Sequence, residues 1–217
     1  MLSAIISDTV LLRSQTTTQR DVKTANKLAK IAGVNLEEYG KMLLKKGTEI
    51  NDISDYDLVF QDSKEFPVGN EKIQISQINS YDTKEPLDRK EGIIKVMKDY
   101  MDKNKNIVLF DFDILDIYNM DSYAIVIGPR KKAVENAYHV EIGEDCVVFL
   151  KKVASRKKQL YPDIAHHLIK IQKKEQKNKA NEEKEKKENN KDKEKDNKKE
   201  LDDESTKDEN KKEEKKE

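Results

Sequence analysis

The chain has 217 residues, with 43 Lys plus Arg set against 43 Asp plus Glu, so 40% of it is charged while its formal net charge is zero. That balance argues against a nucleic-acid-binding arm, which needs a net positive field. No apolar run approaches the length of a membrane span, and a single cysteine, Cys146, leaves no disulfide framework and no Cys-based zinc site. Met1 to Ile6 is short, uncharged and followed closely by Asp8, unlike a secretory signal. These features predict a cytoplasmic protein with no nucleic-acid or membrane partner.

Only 35% of the chain is hydrophobic, so its length overstates its folded part. From Lys173 onward it is almost entirely Lys, Glu, Asp and Asn, basic and acidic in equal number. Such a stretch cannot bury enough apolar surface to offset its ordering entropy. Residues 171–217 are therefore expected to be disordered, or at most transiently helical, serving as a solubilising spacer. What precedes them is enough for one ordinary domain, or a small domain with an appendage.

In chain order, Leu2, Ile5 and Ile6 have helical spacing and run into a polar Ser7-Asp8-Thr9 corner. Asp8 is either a turn former or a carboxylate at the end of an apolar segment, where hard divalent cations are often ligated. A domain rarely opens in the middle of such an element, which suggests an absent upstream portion. Thr18 or a neighbour caps a helix over Asp21 to Ala32, stopped by Gly33, and a second helix follows over Leu36 to Leu44, ended by Gly47. Thr48 to Asp57 is polar and turn-rich, a candidate linker, so residues 1–47, a linker at 48–56 and a body at 57–170 form the expected division.

Beyond the linker, Asp57 to Phe60 and Lys64 to Val68 read as short extended pieces, and Gly69-Asn70 is a hairpin signal. Glu71 to Asn79 alternates, with Ile73, Ile75 and either Gln77 or Ile78 marking the core face. A helix over Arg89 to Lys103 would turn Ile93, Ile94, Val96, Met97 and Met101 inward. Ile107 to Phe112 and Tyr123 to Ile127 read as buried strands, Lys131 to Tyr138 as a short helix, and Val147 to Leu150 as the last strand, with Cys146 beside it as a small core residue. The mixed order predicts an α/β fold: a mixed β-sheet flanked by helices.

The last strand hands over to Ser155-Arg156-Lys157-Lys158-Gln159, three adjacent cations ahead of Pro162, which discourages a helix from running through Leu160 and Tyr161. A basic run is usually a solvated turn. It is also a grip for a compact polyanion, with an Arg fork taking two oxygens and Lys acting as a point charge.

The blocks Ser3 to Thr9, Thr16-Thr17-Thr18 with Asp21, and Gly33 to Gly40 together resemble the end of the DHH phosphoesterase domain of family II inorganic pyrophosphatases. Asp62 to Phe66, Ile75 to Asn79 and Ser155 to Gln159 resemble the DHH-associated C-terminal domain of the same enzymes. The resemblance implies manganese-dependent hydrolysis of pyrophosphate, with Asp8 as a ligand of a manganese pair and Lys64, Arg156 and Lys157 as the cations that grip pyrophosphate. Those three are expected to converge, uncompensated, on one face. The family's DHH motif and histidine ligands are absent, so the two-metal site is expected to be incomplete here and the isolated chain inactive. The implied partners are pyrophosphate and a DHH half, whether separately encoded or lost, with homodimerisation through the DHH portion left open. Exopolyphosphatase activity and a non-catalytic phosphate-binding or docking module are the alternatives. His166 and His167 follow the basic cluster with the wrong spacing for the missing motif and read as surface residues, as does His139 at a strand edge. Gln15 stands where the family pattern has proline.

Overall fold

The computed structural model describes residues 1–14 and 16–182, and the chain divides into two units, Met1–Ile169 and Lys170–Glu217. In the first unit, α1 (Leu2–Asp8), α2 (Gln19–Ala32) and α3 (Leu36–Gly47) precede α4 (Asp55–Phe60), the hairpin β1 (Ser63–Val68) and β2 (Glu71–Ser80), α5 (Lys84–Asp88) and α6 (Lys90–Lys103). Then come β3 (Ile107–Asp116), β4 (Asp121–Ile127), α7 (Lys132–Tyr138) and β5 (Val147–Leu150). The strands form one mixed sheet in the order β1-β2-β3-β4-β5, parallel between β2 and β3 and antiparallel elsewhere. The parallel pair follows from the α5–α6 crossover, since parallel neighbours need a long connection.

Local chemistry sets the helix ends. Thr18 and Asp21 form a reciprocal capping box at α2, and Gly33 closes that helix in the left-handed conformation at φ 66°. The Asn35 side chain accepts from the backbone N–H groups of Glu37 and Glu38 at the start of α3. Three expectations change. Asp57 to Phe60 is helical, not extended: Ser54 caps the turn, and Leu58 and Val59 are buried against the sheet and α6. Cys146 is only partly buried and sits at φ 59°, just outside β5. His139 ends α7 in the left-handed conformation at φ 55°, not at a strand edge.

Register separates the sheet into two unlike faces. Phe110, Phe112, Ile114, Ile125 and Ile127 point one way, with Ile78, into a core closed by Leu58 and Val59 of α4 and Ile93, Ile94 and Met97 of α6. Ile73 and Ile75 point the other way and share their face with Gln77, so Gln77 and Ile78 are both inward-facing, on opposite sides. A smaller cluster of Ile6, Leu11, Leu44, Leu115 and Ile117 packs the N-terminal helices against one end of the sheet. Arg13 reinforces that contact, its guanidinium carbon 3.6 Å from the Tyr118 ring centroid while Nη1 donates to the Tyr118 carbonyl at 3.0 Å.

Residues 161–169 are helical and carry His166 and His167. In the second unit residues 170–182 are also helical, although disorder or at most a transient helix was expected from residue 171 onward; Lys, Gln, Glu and Ala there are good helix formers. The rest of the expected disordered tail, residues 183–217, lies outside the described residues.

Candidate functional site

The basic string is a built turn. Arg156–Leu160 forms one turn of π-helix, in which the Leu160 N–H donates to the Ser155 carbonyl at 3.2 Å. The Ser155 hydroxyl accepts from the Lys158 N–H at 3.2 Å. Gln159 Oε1 accepts from the N–H groups of Ala154 and Ser155 at 2.9 and 3.1 Å, while its Nε2 donates to the Lys152 carbonyl at 2.9 Å. Ser155 and Gln159 therefore fold the connector back on itself and fix where the cations leave the chain. The turn passes into the helix at residue 161, contrary to the stop expected at Pro162. The Tyr161 N–H donates to the Arg156 carbonyl, so turn and helix are continuous, and Pro162, having no N–H, adds no bond to the carbonyls of the turn before it.

The cations of this turn diverge. Lys157 and Lys158 are exposed, whereas Arg156 is only 8% exposed. Its Nη1 donates to the carbonyls of Asp62 and Ile75 at 2.7 and 3.4 Å, and its Nη2 to Asp62 Oδ1 at 2.8 Å. This corrects the expectation of three uncompensated cations: Arg156 is ion-paired and tied to the strand backbone. Lys64 is exposed on β1 and pairs in register with Ile75, which pairs in turn with Asp111 of β3, so all three share one face. The stack of Phe66, on the same face, with Tyr161 at 4.3 Å sets the basic turn against β1. Among the described residues no acid pairs with Lys64 or Lys157.

That face also holds groups the sequence reading passed over. Asp111 and Asp113 are fully buried, and both Asp111 oxygens lack a hydrogen-bond partner. Asp113 Oδ2 accepts from Gln77 Nε2 at 2.7 Å and lies 3.1 Å from the Ser122 hydroxyl, which is itself 2.8 Å from the Val153 carbonyl. The Ser122 hydroxyl has one hydrogen to share between Asp113 Oδ2 and the Val153 carbonyl. Burial pushes Asp113 up to about 7, against the lowering influence of Gln77, Ser122 and nearby Arg156. Burial, then the neighbouring Asp113 charge, raises Asp111 well above the ordinary carboxylate range. The alternation Phe110-Asp111-Phe112-Asp113 was the available signal, since period two puts both carboxylates on one face.

A cleft of about 840 Å³ opens between the N-terminal helices and the sheet, with Ser3 and Ser7 of α1 on one wall and Asp62, Gln77 and Asn79 on the other. Asp8, the last residue of α1, is exposed. Among the described residues no three His, Cys, Asp or Glu side chains gather in a way that could hold a metal ion. A manganese pair needs several such donors, so the residues present do not fit it.

Fold and site together define an α/β domain with a mixed sheet whose two buried carboxylates, Asp111 and Asp113, lie on one face near the buried Arg156. The chain belongs to the DHHA2 domain family, which matches residues 41–166. It is homologous to a C-terminal region of manganese-dependent family II inorganic pyrophosphatases. It is 46% identical over 162 residues to a probable manganese-dependent inorganic pyrophosphatase of Brevibacillus brevis, covering 75% of this chain and 52% of that protein. A protein of the same name from Oceanobacillus iheyensis is 42% identical over 160 residues, covering 74% and 52%. Among solved structures, a Methanococcus jannaschii protein assigned to the family II inorganic pyrophosphatases superposes with a TM-score of 0.60 at 38% identity, covering 77% of this chain and 54% of that one. The chain spans about half the length of the curated relatives it matches. Among the described residues no helix is long and apolar enough to cross a membrane.

Proposed function

We propose that this chain is the substrate-gripping part of a manganese-dependent inorganic pyrophosphatase, in which Lys64, Arg156 and Lys157 bind pyrophosphate and the metals are held largely by a DHH half. The observation that carries this reading is the shared face of Lys64 and the buried Arg156, reached from positions far apart in the chain. Phosphoryl transfer asks a protein mainly to position its substrate and to neutralise charge as the bridging oxygen departs. Lys64 on a strand and Lys157 on a tied turn supply point charges, and Arg156 a guanidinium held in place by strand carbonyls. Asp8 is the single metal ligand proposed for this chain.

On this reading the purified chain binds pyrophosphate but does not hydrolyse it at an enzymatic rate with manganese. Robust turnover insensitive to Asp8→Ala would contradict it. A charge-assisted contact contributes roughly 1.5–3 kcal/mol, so Lys64→Ala, Lys157→Ala and Arg156→Ala should each weaken binding by about tenfold or more. Arg156→Lys should recover only part of the loss. Calorimetric titration of pyrophosphate tests this, and equal affinities across the series would leave the basic turn as a solvated surface feature.

A further inference from the structure

The bonds that hold the Arg156 guanidinium differ in how readily they exchange. Nη1 donates to two backbone carbonyls, of Asp62 at the entry to β1 and of Ile75 within β2. Neither can move away without disturbing the sheet. Nη2 donates to the Asp62 carboxylate, whose side chain is 55% exposed while that of Arg156 is 10% exposed. Asp62 is also one of the residues that line the cleft. Its carboxylate can rotate into water while the two carbonyls keep the guanidinium in place.

We propose that the Asp62 carboxylate is an intramolecular competitor for phosphate, occupying Nη2 of Arg156 in the free protein and giving way to a pyrophosphate oxygen. This rests on the reading of Lys64, Arg156 and Lys157 as the pyrophosphate grip. Carboxylate and phosphate oxygens make the same charge-assisted bond to a guanidinium, so one can replace the other without rebuilding the site. The exchange favours the more highly charged anion, because Lys64 and Lys157 are exposed and have no acid partner among the described residues. Asp62 also sets a threshold: a singly charged anion gains too little to displace it. If Asp62 instead only braced Arg156, its loss would loosen the guanidinium and weaken binding, an effect of opposite sign.

The test is calorimetric titration of inorganic pyrophosphate, without divalent metal, into the full chain as wild type, Asp62→Asn, Asp62→Ser and Asp62→Asn combined with Arg156→Ala. Both single variants should bind about three- to tenfold tighter than wild type, corresponding to release of a partly exposed ion pair, and the added Arg156→Ala should abolish the gain. In the wild type, the Asp62 side-chain carboxyl ¹³C resonance should move on saturation with pyrophosphate, a readout that needs no variant to fold. Measurable wild-type binding that is unchanged or weaker in both single variants overturns the competitor and leaves the pyrophosphate grip standing. A gain that survives Arg156→Ala, or a motionless Asp62 resonance at saturation, also overturns it. No binding by any of the four proteins overturns both readings.

Discussion

The two faces of the sheet are built from the same strands, yet they follow different rules. On one, Phe110, Phe112 and Ile114 of β3 meet Ile93, Ile94 and Met97 of α6, and the buried polar residues that share it, Gln74 and Ser76 of β2, are uncharged and bonded to Ser63. On the other, the intervening residues of the same strand are Asp111 and Asp113, buried near a guanidinium that is itself buried. The first face holds the fold together. The second carries charges whose desolvation opposes folding, and a strand under selection for stability alone would not retain them. Within β3 both carboxylates share one parity with the buried Leu109 and Leu115, while the aromatic residues take the other.

The sharpest way to break this contrast is to damage the apolar face. Phe112 is fully buried and central to its cluster, so Phe112→Ala should destabilise by about 3–5 kcal/mol through lost transfer energy and a cavity. Urea unfolding would measure it. A loss below about 1 kcal/mol would mean that this face is not the one the fold depends on.

The second test acts on the neighbouring residue and has the opposite sign. Asp111→Val replaces a buried, unpartnered carboxyl with a side chain suited to a strand, and should stabilise by about 1–3 kcal/mol at pH 8. The pH dependence follows from linkage. A carboxyl whose folded-state pKa is raised binds its proton more tightly in the native state, so its contribution is complete below about pH 4 and is lost as pH rises through the folded value. For Asp113 that value is about 7, so wild-type stability should fall between about pH 4 and 7. Asp113→Asn should flatten the fall, since an amide does not titrate over this interval and its oxygen can still accept from Ser122. Stability that rises over this interval would show that the pair is ionised in the native state.

How much of this was legible beforehand depended on whether the signal lay within one element. The cap of α2 at Thr18, the Gly69-Asn70 hairpin and the apolar stripe of α6 are local patterns, and each formed near its expected place. Asp57 to Phe60 misled because a piece of four residues has too few positions to separate period two from 3.6; burial of Leu58 and Val59 against α6 decided it. The basic string was visible as charge, but the opposite fates of Arg156 and Lys157 were not, because burial of Arg156 depends on Asp62 and Ile75, more than eighty residues upstream. No composition argument reaches across that separation.

The smallest expected effect concerns the charged segment that follows the first unit. Deleting Lys173 to Glu217 should leave the melting temperature of Met1–Ile169 nearly unchanged. Ile164 and Leu168 are buried and precede the cut, so the helical residues that pack in the first unit are retained. Residues 173–182 are helical but exposed, with no buried side chain among them. Such a helix contributes little beyond its own local propensity, a few tenths of a kcal/mol at most for each i,i+4 pair on its surface. Its charges are of both signs and largely screened at physiological salt, so deletion should not alter the field at Lys64 or Lys157 either. Calorimetric melting of the shortened chain, with pyrophosphate titration beside it, checks both halves of the expectation. A drop of more than about 5 °C, or a change in pyrophosphate affinity beyond threefold, would mean that the charged segment packs against or screens the basic turn and would make it part of the second face.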